Sequence, residues 1–526
     1  MSAKKATSNP KPKTSNAFSN PLFVWENTDS PSSVVIPKTV TSPAYVHTFV
    51  NKNDDESKTL TPQSPSGANT WDNEHAKLPC SPNNVLKRAG KTISIWESIK
   101  SALTSPINSV DDFMQAVYSY NVINFQDWNC KHLSAALHIK PDYVQLLPKI
   151  AQLALRLPEL VTKPIPLLKR GAEGSVTLSQ LQIACLLANA FYSTFTFRNS
   201  RDPQSEYSNF PLVNFASLFS KWHQNKNSSS VQKIVCILHY FSRIFADDFT
   251  GDGVVTFTRR CIADASSFAS SDIKFNSISF GVSSISLIED VHPDTMQVDF
   301  ADPFLGGLFL NKGCAQEEIL CCYRPEIIAG MIFMEAMECN EAFIIEGAER
   351  FSRYSGYFST FQWTGNYDEI KDGHNSRTED GHWKGVVVAI DAQHYRARGS
   401  STQYTTESIQ RELNKAYCGF TNILAPYKSL PDVVVSGNWG CGIFKGDREL
   451  KCLIQLMACA QSGKSLAYCA FSNSGFGEDA LKVFKALCDK NCSVGLLWTI
   501  LTKYSQAQKG KTTVFQHVMK QLSHIN

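Results

Sequence analysis

The sequence predicts an α/β layered domain with a largely parallel or mixed sheet, preceded by a helical domain and a disordered N-terminal extension. Three observations support this order. Residues 1–85 are polar and lack periodic apolar positions, residues 86–250 carry apolar residues at helical spacing, and residues 251–526 alternate β-branched runs with helical patterns. Alternation of strands and helices is typical of layered α/β domains, whose ligands bind at the carboxyl ends of the strands.

The predicted extension, residues 1–85, is rich in Ser, Thr, Asn, Pro and Lys. Such a segment buries too little apolar surface to offset the entropy lost on ordering, so we expect it to be disordered. Its first residues include four lysines that could support nuclear import: Lys4, Lys5, Lys11 and Lys13. A solvated tail is the simpler interpretation of these charges.

Residues 86–250 are expected to form a helical accessory domain. One helix face repeats apolar residues at i, i+3, i+4 and i+7 and ends before Pro158: Ile150, Leu153, Ala154 and Leu157. The segment Thr177–Gln180 has the spacing of a capping box, which predicts that the next helix begins there.

Residues 251–526 are expected to form the α/β domain. Six runs have the composition of strands: VVTFT, MQVDF, AFII, VVVAI, VVVSG and LAYCAF. Helical patterns begin between them, near Gln316, Glu326, Thr405, Asp447 and Glu478. The polar segment from Thr364 to Lys384 is expected to be a surface insertion between strands.

Composition excludes several functional classes. With 51 basic and 48 acidic residues, the net charge of +3 is too balanced for a protein that holds duplex nucleic acid by neutralising its backbone. The 16 cysteines form no repeated C-x-x-C pattern, which is typical of reduced thiols in an intracellular protein. No secretory signal or transmembrane segment is evident, so we expect no membrane association.

Four motifs resemble known sites but fail on one requirement each. The calcium-loop pattern that starts at Asp248 has Arg259 where Glu is needed. Gly463-Lys464-Ser465 resembles the end of a phosphate loop, but Ala458 stands where the earlier glycine is needed. A dinucleotide fingerprint would need glycine at Lys445. Three histidines lie near acidic residues without ligand spacing, so we expect no metal site: His374, His382 and His394.

The segment from Asp299 to Glu318 joins three acidic residues through a glycine loop. Asp299 ends a predicted strand, Glu317 and Glu318 open a predicted helix, and Gly306 and Gly307 would let backbone N–H groups approach an anion such as a diphosphate. Cleavage of a glycosidic bond needs an acid for the leaving oxygen and a base for water, and both can be carboxyl groups. The alternative is that Glu317 and Glu318 only favour the positive end of a helix dipole.

Gly306-Gly307-Leu308, followed after seven residues by Gln316-Glu317-Glu318, resembles the signature of poly(ADP-ribose) glycohydrolases. Further segments look like parts of this family's catalytic region in the family's order: LALRLPELVTKPIPLLK, LLANAFYSTF, SEYSNFP, VTFTRR, VDFA, RYSGYFSTFQW, RELNKAYCGF and SGNWGCGIF. The resemblance extends from about Val85 to the end of LAYCAF or beyond. It implies a macrodomain-type fold that hydrolyses the ribosyl–ribose bonds of poly(ADP-ribose) and releases ADP-ribose.

The resemblance also implies roles for single residues. Glu318 would protonate the leaving ribose hydroxyl and then activate water, with Glu317 and Asp299 as supporting catalytic carboxylates. The implied substrate contacts are Ile288 and Glu289 on the adenine side, Asp302, Gly306, Gly307, Gln316, Tyr357, the loop residues Asn438, Trp439, Gly440, Cys441, Gly442 and Ile443, and Phe471 as an adenine stack. No cofactor or metal is implied.

Two positions depart from the family pattern. Leu308 replaces the third glycine, where its side chain could crowd the diphosphate or oppose a positive φ, and Asp302 replaces a usual asparagine. An alternative function is therefore a macrodomain that binds ADP-ribose or poly(ADP-ribose) with weak or no turnover. For either function we expect a monomer in the nucleus or cytoplasm, active in the DNA damage response, with poly(ADP-ribosyl)ated proteins as partners.

Overall fold

The computed structural model describes residues 23–26, 45–48, 50–52, 60–62, 70–88, 90–121, 125, 128–199, 202–220, 228–262, 268–369, 377–378, 381–422, 430–471, 474–504 and 512–525. The helices of the first half are α1 Ile95–Thr104, α2 Val110–Asn121, α3 Lys131–Ile139, α4 Leu146–Leu155, α5 Leu157–Leu160, α6 Gln180–Phe191, α7 Ala216–Phe219 and α8 Ser229–Ile244. Those of the second half are α9 Gln316–Tyr323, α10 Tyr395–Arg398, α11 Thr406–Phe420, α12 Arg448–Ser462, α13 Ser474–Asp489, α14 Val494–Thr502 and α15 Val514–Ser523.

The strands are β1 Val24–Glu26, β2 Tyr45–Thr48, β3 Val50–Lys52, β4 Leu60–Pro62, β5 Val85–Arg88, β6 Lys91–Ser94, β7 Gly174–Ser179, β8 Val254–Cys261, β9 Phe280–Ser283, β10 Met296–Ala301, β11 Glu341–Gly347, β12 Ser352–Ser355, β13 Gln362–Asn366, β14 Trp383–Asp391, β15 Val433–Gly437 and β16 Ser465–Cys469. Ten of them form one sheet in the order β1-β9-β16-β15-β10-β14-β11-β8-β7-β2. The six runs predicted as strands all lie in this sheet.

The sheet is mixed, as the sequence predicts. Its centre consists of five parallel strands, because β9, β16, β15, β10 and β14 pair in parallel with one another. On the β14 side the pairing with β11 and then β8 is antiparallel. The carboxyl ends of the five parallel strands therefore meet at one edge of the sheet, where a ligand crevice is expected.

Alternate residues of the strands pack into hydrophobic cores on the two faces of the sheet, two large clusters and a smaller one that contains Val433, Val435, Ala467 and Cys469. Phe343 and Ile345 of β11 join a core that includes the helical domain and α9. Ile344 of the same strand joins the other large core, which includes α11 to α15. Because successive side chains of a strand point to opposite faces, both faces of the sheet are buried, and the helical domain packs directly against one of them.

The structure departs from the predicted elements at three points. The capping box lies at Ser179 with Gln182 rather than at Thr177, because Thr177 is still part of β7 and the chain leaves the strand two residues later. The pattern near Glu326 forms a 3-10 helix, Pro325–Ile332. The predicted insertion from Thr364 begins inside β13 and ends inside β14, and residues 370–376 and 379–380 lie outside the described ranges.

Short segments of the predicted N-terminal extension have defined contacts. β1 pairs with β9 and β2 pairs with β7, so both lengthen the main sheet. Between residues 70 and 85, Lys77 forms an ion pair of 2.6 Å with Glu206 of the helical domain. These segments are exceptions to the predicted disorder, and most of the extension lies outside the described ranges. The strand β7, inside the predicted helical domain, also belongs to the main sheet.

Within the described parts of the chain, no helix combines the length and apolar character needed to cross a bilayer.

Candidate active site

A cavity of about 390 Å³ lies at the edge where the parallel strands end. Its wall includes eleven of the predicted site residues: Ile288, Glu289, Gln316, Tyr357, Asn438, Trp439, Gly440, Cys441, Gly442, Ile443 and Phe471. The sheet brings them together because the segments after β9, β10, β15 and β16 all leave the same edge. Residues that are 183 positions apart in sequence, from Ile288 to Phe471, thus share one cavity.

The remaining predicted site residues do not line this cavity. Asp302 and Gly307, together with Leu308, line a second cavity of about 570 Å³ against the segment from Asp202 to Leu212 of the helical domain. The start of α9 reaches the first cavity through Gln316 and the preceding Ala315, whereas Asp299, Glu317 and Glu318 line neither cavity. The loop that connects β10 to α9 therefore lies between two cavities, one on each side.

Asp299, on β10, is the most deeply buried of the three predicted catalytic acids, with 1% of its surface exposed. Neither of its carboxyl oxygens has a hydrogen-bond partner among the residues that the structure describes. Burial raises the pKa of Asp299 well above its ordinary value, and the charge of Glu318 adds to the effect. A proton on Asp299 is therefore favoured over a wider pH range than in water.

Glu317 holds the beginning of the loop. Its Oε2 accepts a hydrogen bond of 2.8 Å from the N–H of Asp302, and its Oε1 accepts one of 2.6 Å from the N–H of Gly306. Burial, followed by the charges of Asp299 and Glu318, raises the pKa of Glu317 well above its ordinary value. Because both of its oxygens are occupied by the loop, this carboxyl acts first as an anchor for the backbone.

Glu318 occupies the third position of α9, where a Glu side chain can reach back to the backbone that precedes the helix. Its Oε2 accepts a hydrogen bond of 2.7 Å from the N–H of Ala315, and its Oε1 accepts one of 3.0 Å from the N–H of Leu308. Glu318 is 8% exposed, more than Glu317 or Asp299. A carboxylate has about four acceptor positions, so two remain for another partner.

The packing of the protein itself favours glycine at both positions of the loop, at Gly306 because a Cβ atom would lie 1.8 Å from Cε of Met331, and at Gly307 because of the acids. Gly306 and Gly307 have φ values of 83° and 51°, which favour glycine. A Cβ atom at Gly307 would lie 2.6 Å from Oε2 of Glu317 and 3.0 Å from Oε1 of Glu318. The N–H of Gly306 is directed at Glu317. Contact between these glycines and a diphosphate stays a prediction, whereas their contact with the acids is a feature of the fold.

Leu308 adopts a negative φ, so the expected conflict with a left-handed turn does not arise. Its side chain is 57% exposed and lines the second cavity, not the first. Asp302 accepts a hydrogen bond of 3.0 Å from the N–H of Phe304. Burial raises the pKa of Asp302, and this hydrogen bond opposes the effect. Both departures from the family pattern thus lie on the side of the loop away from the first cavity.

The side-chain amide of Gln316 forms hydrogen bonds within the protein. Its Oε1 accepts a hydrogen bond of 2.8 Å from the N–H of Phe300, and its Nε2 donates one of 3.3 Å to the carbonyl of Val298. These contacts fix the start of α9 against β10, which carries Asp299. The side chain still faces the first cavity.

The opposite end of the cavity is aromatic. Tyr354 donates a very short hydrogen bond to the carboxyl group of buried Glu289, and Arg350 donates one of 3.1 Å to the Glu289 carbonyl. Burial raises the pKa of Glu289, while the bond from Tyr354 opposes this effect. The rings of Tyr357 and Phe471 meet edge to face with centroids 5.6 Å apart. This end has the apolar surface and the polar anchor that an adenine needs.

The loop after β15 is fixed by contacts that Trp439 and Gly440 make with neighbouring elements. Trp439 is fully buried, and its Nε1 donates a hydrogen bond of 2.9 Å to the carbonyl of Ile390. The Lys451 ammonium lies 3.8 Å from the centroid of the Trp439 ring and 2.9 Å from Oε2 of Glu412. Gly440 has φ 72°, and a Cβ atom there would lie 2.6 Å from Cβ of Ala392. Trp439 is therefore an anchor of this loop.

Two comparisons with known proteins agree with this arrangement. A profile of the macrodomain fold of poly(ADP-ribose) glycohydrolases matches residues 265–478, and a profile of the helical domain of these proteins matches residues 142–259. Poly(ADP-ribose) glycohydrolase 1 of Arabidopsis thaliana is 31% identical over 455 residues, which cover 70% of this chain and 79% of the relative. The chain belongs to the poly(ADP-ribose) glycohydrolase family.

Other members of the poly(ADP-ribose) glycohydrolase family are similar to the same extent. Probable poly(ADP-ribose) glycohydrolase 2 of Arabidopsis thaliana is 32% identical over 444 residues, covering 72% of this chain and 82% of the relative. Poly(ADP-ribose) glycohydrolase 1 of Caenorhabditis elegans is 30% identical over 376 residues, covering 69% of this chain and 44% of the relative. The predicted family, and the helical domain followed by a macrodomain, are confirmed.

The cavity wall also contains residues that the sequence did not predict, among them two aromatic residues and one cation. These are Phe300, Phe358 and Arg448. Phe358 directly follows Tyr357, so an aromatic residue beside a predicted contact was the available signal. Arg448 begins α12 immediately after the predicted loop, where a cation beside an anion site could have been recognised. Phe300 follows Asp299 on β10 and gives no signal of its own.

The motifs set aside in the sequence have structural roles in the described part of the chain. Asp252 forms an ion pair with Arg377, and Nε2 of His382 lies 2.8 Å from the Thr256 hydroxyl. The His394 side chain accepts a hydrogen bond from the N–H of Ala397 at the start of α10, and His374 lies outside the described residues. Among the residues described, no group of three or more His, Cys, Asp or Glu is arranged to hold a metal ion.

Proposed function

We propose that this chain hydrolyses the ribosyl–ribose O-glycosidic bonds of poly(ADP-ribose) and releases ADP-ribose, with Glu318 as the general acid and base. The observation that carries the proposal is the position of Glu318. Two backbone N–H groups hold its carboxyl at the start of α9, and the preceding residues Ala315 and Gln316 line the cavity. Family membership supports the same reaction.

In the proposed reaction, Glu318 donates a proton to the ribose oxygen that leaves, while the bond from that oxygen to the anomeric carbon breaks. The sugar carbon passes through an oxocarbenium-like state. The Glu318 carboxylate then accepts a proton from water as the water oxygen bonds to the anomeric carbon. One C–O bond is broken, another is formed to the water oxygen, and Glu318 ends protonated by a proton from water, ready for the next cycle.

The neighbouring acids support this cycle in different ways. Glu317 anchors the loop through two hydrogen bonds from backbone N–H groups, and so maintains the N–H of Leu308 in contact with Glu318. Asp299 places a third carboxyl in the same buried cluster. After Glu318 has donated its proton, its carboxylate places a negative charge near the anomeric carbon and so favours the positive charge of the oxocarbenium-like state.

The substrate positions follow from the two ends of the cavity. We place the adenine between Phe471 and the segment that contains Ile288 and Glu289, the diphosphate along the Asn438–Ile443 loop, and the distal ribose near Gln316. Tyr357 closes over the bound unit. Arg448, on the cavity wall, supplies a positive charge for the diphosphate.

The decisive experiment is incubation of the purified protein with labelled poly(ADP-ribose), comparing the wild type with Glu318→Gln. We expect the wild type to release ADP-ribose and the variant to lose this activity by a factor of at least about 100, because the variant cannot transfer the proton. Binding of the polymer by both proteins without release would contradict the proposal.

That outcome would favour a second candidate function, a macrodomain that binds ADP-ribose or poly(ADP-ribose) with little turnover. The observation in its favour is that Leu308 and Asp302 depart from the family pattern inside the loop that contacts the catalytic acids. The presence of all three acids favours the enzyme.

We also propose that the protein acts as a monomer on poly(ADP-ribosyl)ated proteins, without direct contact to nucleic acid, in the nucleus or the cytoplasm. The near balance of 51 basic and 48 acidic residues supports the lack of nucleic-acid binding. Fluorescent fusions with and without residues 1–85 would report where the protein resides, and sedimentation would report its oligomeric state.

A further inference from the structure

We propose that Phe358 forms a binding subsite for the adenine of the leaving unit, the ADP-ribose unit that remains on the polymer after cleavage. The inference rests on the proposed function and adds a second nucleotide contact to it. Its basis is the position of Phe358 relative to Glu318, the exposure of the Phe358 ring, and the chemistry of the leaving group.

Phe358 is attached to the catalytic end of the cavity. Its N–H donates a hydrogen bond of 2.8 Å to the carbonyl oxygen of Cys314, and the N–H of Ala315 donates one of 2.7 Å to Oε2 of Glu318. The Cys314 carbonyl and the Ala315 N–H belong to the same peptide group. The Phe358 nitrogen and the Glu318 carboxyl are therefore at most about 8 Å apart, since two hydrogen bonds and one peptide group join them.

The backbone at Phe358 is strained while its ring remains exposed. Phe358 has φ 53°, a left-handed conformation that is uncommon for a bulky residue. Burial of a phenyl ring normally offsets such strain, but 52% of Phe358 is exposed. Packing inside the protein therefore does not explain why an aromatic ring is present at this strained position. Strained residues that persist at the wall of a cavity are typical of ligand contacts.

The cavity wall has a second exposed aromatic residue, Phe471. Phe471 has φ 49° and is 55% exposed, and its ring meets Tyr357 near Glu289. Phe471 is thus placed to stack on the adenine of the unit that is released. Phe358, tied to the residues before α9, is on the side where the leaving oxygen departs.

The chemistry of the polymer places an adenine at that point. The leaving oxygen is the 2′ oxygen of an adenosine ribose, and the adenine is attached to the adjacent ribose carbon. A base therefore accompanies the leaving oxygen wherever the chain exits. Stacking of a base on an aromatic side chain strengthens binding by about fivefold or more, and it tolerates small changes of orientation.

The first test compares Phe358→Asn, Phe358→Tyr and the wild type. Asn accepts a left-handed backbone, so it removes the ring without changing the loop, whereas Tyr keeps a ring. We expect Phe358→Asn to raise KM for poly(ADP-ribose) about five- to tenfold, with Kd for free ADP-ribose unchanged within about twofold, and Phe358→Tyr to restore KM. A loss of ADP-ribose affinity in Phe358→Asn would show that the ring contacts the released unit and would overturn the proposal.

The second test uses two small substrates in which ADP-ribose is linked 1″→2′ either to adenosine or to a methyl riboside that lacks the base. We expect the wild type to prefer the adenosine compound about five- to tenfold, and Phe358→Asn to lose this preference. Equal cleavage of both compounds by the wild type, or a preference that persists in Phe358→Asn, would overturn the subsite.

Calorimetry of both compounds with Glu318→Gln gives the same comparison without turnover. If the wild type cleaves neither compound, the proposed function is wrong, whereas the subsite is decided by whether Glu318→Gln binds the adenosine compound more tightly. The two proposals therefore fail on different measurements.

Discussion

The ammonium group of Lys233 donates a hydrogen bond of 2.7 Å to the carbonyl oxygen of Gly313. It also donates to the carbonyls of Phe309 and Asn311, at 2.6 and 2.9 Å. Lys233 is fully buried and lies on α8 of the helical domain, whereas the three carbonyls belong to the loop that contacts Glu318. The helical domain therefore holds the loop between β10 and α9 through one side chain, in addition to the bonds that Glu317 and Glu318 make to it.

Lys233→Met should lower both stability and turnover. The substitution keeps an unbranched side chain that is one atom shorter but leaves three carbonyls without their donor, so we expect the free energy of unfolding to fall by about 1–3 kcal/mol. Urea denaturation measures this loss. We also expect kcat to fall at least about fivefold, because the N–H of Leu308 would lose its fixed position at Glu318.

The matched control is Lys149→Met on the exposed face of α4, which should leave stability and kcat within error of the wild type. A stability loss in Lys233→Met with unchanged kcat would mean that Lys233 supports the fold alone and does not position the loop.

Gly307→Ala should impair catalysis through the acids. The added Cβ atom would meet Glu317 at 2.6 Å and Glu318 at 3.0 Å, and the φ of 51° disfavours alanine. We expect kcat to fall at least about tenfold with the fold retained, because a displaced carboxyl no longer meets the leaving oxygen. Gly475→Ala, where a Cβ atom meets nothing within 4 Å, is the control. Equal kcat values for the two variants would refute the close contact.

How far the sequence predicts this site depends on the range of each contact. Asp299, Glu317 and Glu318 lie within one segment of the chain, and residue spacing and family resemblance were enough to propose them together. The contact between Lys233 and Gly313 joins residues 80 positions apart, and no local pattern connects a helix of the first domain to that loop. For the same reason the sequence does not show the role of Trp439, which depends on contacts with Lys451 and Ile390.

Local sequence patterns also place the boundary between a strand and a helix only to within about two residues. Thr177 and Ser179 both have side chains that can cap a helix, and only the pairing of β7 with β8 shows that the strand continues to Ser179. For Gly306 and Gly307, the sequence indicated close backbone approach correctly but suggested a ligand as the partner. The structure shows that the partners include the carboxyls of Glu317 and Glu318.

The stability of the protein should depend on pH through Asp299. A carboxyl pKa that is raised on folding means that the native state retains a proton which the unfolded state releases. The stability that Asp299 contributes in this way is complete below the ordinary Asp pKa, and it is lost as the pH rises from there through the raised pKa of the folded protein. Each unit of such a shift corresponds to about 1.4 kcal/mol. Asp299→Asn has no proton to release, so its Tm should fall less than that of the wild type between pH 5 and pH 8.

The comparison uses the change of Tm with pH, because an amide in place of the unpartnered carboxyl also shifts stability by a constant amount. Glu478→Gln, at an exposed position of α13, should follow the wild type at every pH. Parallel curves for Asp299→Asn and the wild type would show that Asp299 does not retain its proton in the folded protein.

Leu308→Gly should leave the affinity for ADP-ribose nearly unchanged. If the Leu308 side chain crowded the diphosphate, as its position in the sequence suggests, its replacement by glycine would tighten ADP-ribose binding. In the structure Leu308 has a negative φ, is 57% exposed and lines the cavity on the helical-domain side of the loop. Its N–H, which glycine retains, is the part that contacts Glu318.

We therefore expect Kd for ADP-ribose to stay within about twofold of the wild-type value. We expect kcat to fall modestly, because glycine makes the backbone more flexible and the N–H that holds Glu318 becomes less fixed. Calorimetry with ADP-ribose and turnover of poly(ADP-ribose) measure the two effects separately. A gain in ADP-ribose affinity of tenfold or more would show that Leu308 does face the diphosphate when substrate is bound. The loop would then have to rotate between its free and bound forms, since the side chain and the N–H of Leu308 point to different sides of it.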